Sequence, residues 1–340
     1  MNMNLRLIST VTAGLALWPL AGLADDVASF YAGKQISIAV VAAGGGYGLN
    51  GRLLTEHMGR HIPGTPSMVT IVKSGGGGRT LMNWLYNVAP KDGTALGFLH
   101  KDIAAFSLVQ PEGLKLEPAK FQWIGSVAPM NTAMFVRSDA EATTLDGLRQ
   151  KQVVMGASGK SHPTALFPTL LNNMLGTKFK VVTGYRGSSD IFLALERGEV
   201  KGTTFTWDTV ESRRPDWIKN GFVTPLVQVS LEKDKGLPNV PVLAEVMKNE
   251  ADKALAEFLT SGSKVGRAFG APPGVPADRI AALRKAFEAT VKDPQYLAAV
   301  RKAKMPVEPT PGAEIQKLVE KVSAAPDSLV ARARASLGLK

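Results

Sequence analysis

Residues 35–59 read QISIAVVAAGGGYGLNGRLLTEHMG and join a strand pattern, a glycine turn and a helix pattern. Gln35–Ala42 is a short apolar run, which predicts a buried strand. Ala43–Gly46 supplies the turn, and apolar residues then recur at helical spacing over Leu49–Gly59. This order is typical of a parallel α/β layer, in which each helix packs back on its sheet.

The same order recurs along the chain. Met68–Lys73 is a second predicted strand, followed by a glycine run and a helix through Leu81, Leu85 and Val88. We predict further strands at Thr94–Leu99, Phe121–Val127, Thr132–Val136, Val153–Ala157, Phe179–Thr183, Gly202–Thr206 and Phe222–Val229, and further helices from about Ser161 and at Ser188–Arg197, Ile280–Val291 and within Ala313–Leu337. We expect Phe121–Val127 to lie among the later strands and Phe222–Val229 to run back toward the first ones.

Composition narrows the class of protein. The 340 residues are 45% hydrophobic and 20% charged, as in a folded protein of two compact domains. The absence of cysteine excludes disulfides, thiolate catalysis and cysteine-ligated metals. A net charge of +11 favours an anionic partner. The basic residues are spread along the chain, which argues against nucleic-acid binding.

The N-terminus has the pattern of a secretory signal peptide. A basic start precedes the uncharged, mostly apolar stretch Leu7–Leu23, and small residues at 21 and 24 precede Asp25. We predict a signal peptide over residues 1–24 and a periplasmic protein without stable membrane insertion after its removal. A membrane anchor is the alternative, but the stretch is short for a spanning helix and Pro19 interrupts it.

The segment Gly46–Gly51 matches the GxGxxG dinucleotide fingerprint after a strand. A Rossmann NAD site also requires an acidic residue at the end of the second strand, where this chain has Lys73 and Ser74. A secreted NADP-dependent oxidoreductase is therefore an alternative function. No nucleophile–base pair or metal-ligand spacing is found, and the sequence favours a protein that is not an enzyme and has neither cofactor nor metal.

Four Gly- or Ser-rich turns lead from predicted strands into predicted helices: Gly44–Gly48, Ser74–Gly78, Ser158–His162 and Gly184–Asp190. Such turns gather at the carboxyl ends of parallel strands, where ligands bind. Helix N-termini present unbonded N–H groups and a partial positive charge, so a cleft lined by them would hold an anion. The alternative is that these glycines are ordinary α/β turns.

Five short motifs resemble the extracytoplasmic solute receptors of tripartite tricarboxylate transporters, also called the Bug family. They are Ala42–Gly46 with Arg52, Tyr86–Thr94, Gly184–Gly187 with Leu193–Val200, Leu237–Pro241 with Glu245, and Ala271–Pro276 with Asp293 and Pro294. The resemblance runs from about Tyr31 to the C-terminal region. It implies a type II periplasmic-binding-protein fold, with two α/β domains joined by a two-crossing hinge. It also implies a receptor that closes on a small carboxylate and passes it to a membrane transporter.

Two departures from the family pattern bear on the ligand. Gly48 stands where the first loop of the family usually has an Asp, which some members use for ligands with an amino group. In the second loop, Ser74 replaces the usual Pro. We therefore expect a purely anionic ligand, such as a di- or tricarboxylate or an aromatic acid.

The predicted domains are residues 25–122 with 229–340, and residues 123–228. The predicted ligand-binding residues are Gly46, Tyr47, Gly48, Ser74, Gly75, Gly76 and Gly77 on one side, Ser158, Ser161, His162, Arg186, Gly187 and Ser188 on the other, and Trp207 and Asp208 at the far end of the ligand. Tyr47 either shields the ligand or packs on its helix, and Arg186 is equally a candidate for a solvated turn. We expect a monomer that contacts integral membrane transporter subunits transiently; presentation of the ligand to a sensor kinase is the alternative.

Overall fold

The computed structural model describes residues 21–339, so most of the predicted signal peptide lies outside the described residues. The strands are β1 (Gln35–Val40), β2 (Ser67–Val72), β3 (Ala95–Phe98), β4 (Gln122–Ser126), β5 (Thr132–Arg137), β6 (Val153–Ala157), β7 (Phe179–Thr183), β8 (Gly202–Thr206), β9 (Val223–Val229), β10 (Ala268–Ala271) and β11 (Thr310–Pro311). The helices are α1 (Ala21–Tyr31), α2 (Gly45–His57), α3 (Arg79–Asn87), α4 (Ile103–Val109), α5 (Leu145–Gln150), α6 (Pro163–Leu175), α7 (Ser188–Arg197), α8 (Trp207–Arg213), α9 (Pro215–Lys219), α10 (Glu250–Thr260), α11 (Gly262–Val265), α12 (Ala277–Thr290), α13 (Pro294–Lys302), α14 (Gly312–Ser323) and α15 (Asp327–Ser336).

The strands form two sheets with related strand orders. The first sheet has the order β11-β4-β10-β3-β1-β2, and the second has the order β7-β6-β8-β5-β9. In the first sheet, β10 and β11 run antiparallel to the other strands, and in the second sheet only β5 does. This arrangement confirms the predicted α/β fold of the periplasmic-binding-protein type.

Strand β1 ends in the consecutive buried apolar residues Ile38–Val40 because both faces of the first sheet are covered there. Ile36, Ile38 and Val40 are fully buried in one hydrophobic cluster, which also holds residues of α2 and α12. Ala39 points to the opposite face and belongs to the cluster of Leu81 on α3. Burial on both faces is what turns a parallel strand into a continuous apolar run rather than an alternating one.

Two strand expectations were wrong. Strand β4 pairs with β10, where Gly125 lies opposite Phe269, so it belongs to the first sheet. Strand β9 pairs with β5, where Gln228 lies opposite Ala133, so it belongs to the second. A buried apolar run does not encode its partner, because pairing joins residues distant in sequence. Strand β4 crosses the expected domain boundary at residue 122, and the division into domains stays a prediction.

Two chain segments connect the sheets, at residues 127–131 and 230–267. They are hydrogen-bonded to each other, since the N–H of Arg267 donates to the carbonyl of Ala128 at 2.9 Å and the N–H of Met130 donates to the carbonyl of Ser263 at 2.9 Å. The C-terminal helix α15 forms a further connection, because it contacts both α4 and α6. The two halves are therefore joined at the hinge and at the C-terminus.

Candidate ligand-binding site

A cavity of about 200 Å³ lies where loops from both sheets meet. We call it the main cavity; it is lined by Tyr47, His100, Lys101, Asp102, Met130, Thr132, His162, Pro163, Thr164, Phe167, Thr204, Phe205 and Thr206. Residues 100–102 follow β3 of the first sheet, whereas His162 and Thr206 lie at the ends of β6 and β8 of the second. Both sheets therefore contribute the carboxyl ends of parallel strands, as expected for a ligand cleft in open α/β sheets.

A smaller cavity of about 80 Å³ shares His100, Asp102 and His162 with the main cavity. We call it the side cavity; its lining also includes Gly77, Arg79, Gln110 and Ser161. Because the two cavities have lining residues in common, they form adjoining parts of one site.

Residues His100, Lys101 and Asp102 form the charged centre of the site. The Lys101 ammonium donates to Asp102 Oδ1 at 2.8 Å, and both side chains are almost completely buried. The backbone N–H of Asp102 donates to His100 Nδ1 at 3.3 Å, so this nitrogen is an acceptor. Burial lowers the pKa of His100, and the nearby Lys101 acts in the same direction, so the imidazole is neutral at pH 7.

His162 approaches the site from the second sheet as the N-cap of α6. Its Nδ1 accepts from the N–H of Thr164 at 3.3 Å and lies 2.9 Å from the Thr164 hydroxyl. Burial, with the nearby His100 as a second cause, lowers the pKa of His162 to about 4. The two histidines therefore enter the cleft as uncharged hydrogen-bonding groups.

Tyr47 and Gly46 bring the start of α2 into the site. The hydroxyl of Tyr47 accepts from the N–H of Lys101 at 3.3 Å, and its ring packs edge-on against Phe98. Burial, together with the charge of Asp102, raises the pKa of Tyr47, so the hydroxyl stays protonated. A Cβ at Gly46 would lie 3.3 Å from Arg267 Nε, so the helix start is in close contact with this buried cation.

The second glycine turn is a left-handed segment. Gly75, Gly76, Gly77 and Gly78 all have positive φ, between +56° and +122°. Gly77 borders the side cavity, while Ser74 and Gly75–Gly77 are exposed. The backbone of this turn is therefore open to an approaching ligand.

Helix α2 begins four residues before the predicted start at Leu49, which changes the role of Gly48. Gly48 is buried in the first turn of the helix, and a Cβ there would clash with the carbonyl oxygens of Ala42 and Ala43. The position therefore packs against the end of β1 and has no room for a side chain aimed at a ligand. Gly48 lines neither cavity, and its contact with the ligand stays a prediction.

The remaining predicted residues lie at varied distances from the two cavities. Tyr47 and His162 border the main cavity, and Gly77, Ser161 and His162 border the side cavity. Ser158 is next to them, because its N–H donates to the Thr164 hydroxyl at 3.1 Å.

The turn that contains Arg186, Gly187 and Ser188 does not contribute to the lining of either cavity. The Arg186 side chain is 90% exposed and donates to Asp190 at 2.9 Å, so it is the solvated turn residue of the alternative reading. Ser188 accepts from Arg213 at 3.1 Å.

Trp207 and Asp208 were expected to contact the far end of the ligand, but neither lines the main cavity or the side cavity. Trp207 is 2% exposed and packs on Phe135 in the core of the second sheet. Asp208 forms an ion pair with Arg267, whose side chain is 3% exposed. This pair joins α8 of the second sheet to the segment that precedes β10 of the first.

The residues that carry most of the charge in the site were not among the predicted ligand-binding residues. His100, Lys101 and Asp102 follow a strand that was predicted at its observed place, and a charged triplet directly after an apolar strand was a usable signal. Arg79, at the start of α3, and Arg267 had no comparable signal. Arg267 lines neither cavity, and it meets Asp208 and the start of α2 only because β10 inserts between β3 and β4.

A larger cavity of about 430 Å³ lies at the hinge and is lined by charged residues that include Asp208, Glu211, Asp234 and Lys264. We favour the smaller site as the ligand cleft because strand ends of both sheets line it. Within residues 21–339, no group of three or more His, Cys, Asp or Glu side chains is placed to hold a metal ion. In the same residues, no helix is both long and apolar enough to cross a membrane.

Two sheets with a cleft between their strand ends are the architecture of periplasmic solute-binding proteins. A sequence model of the tripartite tricarboxylate transporter family receptor, TctC, matches residues 51–333. The chain belongs to this family of solute-binding receptors. None of the curated proteins matches it.

Solved structures of similar fold include a member of the same family. A TctC solute-binding protein from Polaromonas, without ligand, is 19% identical over 88% of this chain and 98% of its own, with a TM-score of 0.65. An R. palustris protein with adipate is 19% identical over 90% and 97%, with a TM-score of 0.64. MatC from Rhodopseudomonas palustris with bound malate is 19% identical over 89% and 99%, with a TM-score of 0.61. At these identities, the likeness concerns the fold.

Proposed function

We propose that this receptor binds a small carboxylate in the main and side cavities and closes around it. The observation that carries the proposal is the convergence of strand ends from both sheets on one site that contains Lys101 and Arg79. The two histidines of the site are neutral and do not add to this charge. Adipate and malate in the structures of similar fold support a carboxylate as the ligand class.

The ligand would be held by backbone as well as by side chains. The exposed turn Gly75–Gly77 and the start of α2 offer N–H groups near the cavities. Thr132, Thr204 and Thr206 offer hydroxyls from the second sheet, while Met130 and Phe205 supply apolar contact. Both cavities expose more apolar than polar surface around a few polar groups, as small-molecule sites commonly do. A short dicarboxylate or tricarboxylate is the ligand that we favour, and an aromatic acid is the alternative.

We further propose that the protein is exported to the periplasm, acts as a monomer without catalysing a reaction, and delivers its ligand to integral membrane transporter subunits in transient contacts. The family supports this role. Cleavage after Ala24 would leave Val27 and Tyr31 of α1, whose buried side chains pack on the first sheet. The intact mass of protein recovered from the periplasm tests this cleavage site.

The binding proposal is tested by calorimetry of the purified protein against a panel of aliphatic and aromatic mono-, di- and tricarboxylates. We expect Thr132→Phe, which fills the main cavity from β5, to abolish binding of any acid that the wild type binds. The matched control is Thr183→Phe at the exposed end of β7, which should bind normally. No binding of any carboxylate by the folded wild type would refute the proposal.

A further inference from the structure

Three buried polar atoms that lack a hydrogen-bond partner belong to residues lining the side cavity. They are Asp102 Oδ2, Arg79 Nε and Gln110 Nε2. Asp102 is 2% exposed and Gln110 is 5% exposed. Buried polar groups in folded proteins are normally paired, so an acceptor and two donors around one cavity indicate a bound group with the complementary atoms.

The Asp102 carboxylate is fixed in place. Its Oδ1 accepts from Lys101 and packs against Gly262, where an added Cβ would clash. Asp102 is the N-cap residue of α4, yet its side chain makes no capping hydrogen bond. A carboxylate at this position usually bonds to the helix N–H groups, so its pairing with Lys101 instead departs from the local preference.

No neighbouring group donates to Asp102 Oδ2 in the described part of the chain. His100 Nδ1 is 3.9 Å away and already accepts a hydrogen bond from the backbone N–H of Asp102. The Lys101 ammonium bonds to the other oxygen. A donor from outside the chain would satisfy this oxygen, and Asp102 lines the side cavity.

The charge around the site selects among possible donors. Lys101 and Arg79 are both cations that line the cavities, and a ligand ammonium would add a third positive charge beside them. A hydroxyl donates equally well to a carboxylate without this repulsion. Arg79 Nε and Gln110 Nε2, as donors, suit a carboxylate on the same ligand.

We propose that Asp102 is the specificity-determining residue of the site. It accepts a hydrogen bond from a hydroxyl of a hydroxycarboxylate, and Arg79 and Gln110 bind a carboxylate of the same molecule. The inference rests on the proposed carboxylate-binding function and adds a requirement that a plain carboxylic acid does not meet.

Calorimetry of the wild-type protein with matched ligands tests the proposal, using succinate against malate and tricarballylate against citrate. The members of each pair differ by one hydroxyl. We expect the hydroxylated member to bind at least about tenfold more tightly in any pair that binds. Affinities within about twofold would overturn the inference alone, and no binding of any carboxylate would overturn the proposed function with it. Aspartate binding more tightly than malate would overturn the choice of a hydroxyl.

The variant Asp102→Asn tests the assigned residue, because it keeps the shape and removes the charged acceptor. We expect the preference for the hydroxylated member to fall to within about twofold, while the plain acid still binds. Asp139→Asn is the matched control; its carboxylate pairs with Arg137 and Lys201 on the surface, and it should keep the wild-type preference. An undiminished preference in a folded Asp102→Asn protein would overturn the assignment.

A second variant keeps the test decisive if Asp102→Asn does not fold, as judged by circular dichroism. Gln110→Leu removes one carboxylate donor and leaves Asp102 in place. We expect it to weaken both members of a pair by a similar factor and to preserve their ratio. Unchanged affinity for both members would overturn the assigned position of the ligand.

Discussion

Gly48 shows that the space around a single residue cannot be predicted from the order of residues along the chain. A residue in the first turn of a helix that follows a glycine turn looks like a place for ligand contact. In the structure, α2 crosses so close to the end of β1 that a Cβ at position 48 would meet the carbonyl oxygens of Ala42 and Ala43. Glycine is required there by packing between helix and strand, and its distance from those carbonyls is not encoded in a local pattern.

The variant Gly48→Asp is therefore expected to destabilise the fold. Overpacking and an unpaired buried carboxylate together should lower the free energy of unfolding by about 3 kcal/mol or more. Urea denaturation of the variant measures the change. Gly159→Asp is the control, because a Cβ at Gly159 has nothing within 4 Å. Equal stability of the two variants would contradict this account.

His162 should make the stability of the protein depend on pH. Its folded pKa of about 4 lies below the ordinary histidine pKa of 6.5, so the unfolded chain binds a proton first as the pH falls. The stabilisation is fully present above about pH 6.5 and is lost progressively as the pH falls toward 4, by up to about 3 kcal/mol. The lowered pKa of His100 acts in the same direction.

The test is His162→Asn, because Asn keeps an N-cap acceptor for α6 and does not titrate. Denaturant midpoints of both proteins between pH 7 and pH 4 give the comparison. The wild type should lose more stability over this range than the variant does. Parallel curves for the two proteins would show that His162 does not titrate in this window.

At the scale of secondary-structure elements, local sequence patterns predicted the bounds of strands and helices that depend on local interactions. The bounds of β7, α7 and β8 agree with the predicted Phe179–Thr183, Ser188–Arg197 and Gly202–Thr206, because each element has turn residues at its ends and apolar residues at its own period. The sheet membership of β4 and β9 could not be predicted in this way, since it depends on partners far along the chain. For the same reason, the ion pair between Arg267 and Asp208 was not predicted.

The turn between β2 and α3 gives a prediction about how the ligand is held. Gly76 has φ +56°, and a Cβ there would lie 3.3 Å from the Cβ of Arg79. Gly76→Val should abolish measurable binding, because a β-branched residue strains this backbone and covers its N–H groups. Lys73→Ala should bind within about tenfold of wild type, since the Lys73 ammonium lies over the Trp84 ring, 4.7 Å from its centroid. Calorimetry measures both affinities.

Gly33→Val is the control for strain alone, because Gly33 has φ +71° with nothing near its Cβ and lies in the turn after α1. It should lose stability and retain binding. If a folded Gly76→Val protein binds normally while Lys73→Ala does not, a side-chain cation rather than the glycine backbone holds the ligand.

At the scale of the whole molecule, side-chain contacts join the halves that contain the two sheets. Asp208 on α8 pairs with Arg267, which precedes β10 and also donates to the Pro129 carbonyl in the other hinge segment. Helix α15 adds a second connection, where Asn173 of α6 donates to the carbonyl of Ser336 at 2.9 Å. The family motifs predicted two domains and a hinge. They did not predict the Asp208–Arg267 ion pair or the hydrogen bond from Asn173 to Ser336, because both form only when distant segments of the chain come together.

The last prediction concerns the Asp208–Arg267 pair. Asp208→Asn leaves the buried guanidinium of Arg267 without its counter-charge, so the free energy of unfolding should fall by about 3–5 kcal/mol. The double variant Asp208→Asn with Arg267→Met removes both charges and should recover much of this loss, because an unpaired buried charge costs more than a missing pair. Asp190→Asn, which breaks an exposed pair with Arg186, is the control and should have a far smaller effect. Denaturant unfolding of the four proteins tests the prediction. If the double variant is no more stable than Asp208→Asn, the two residues are not coupled and do not hold the halves of the molecule together.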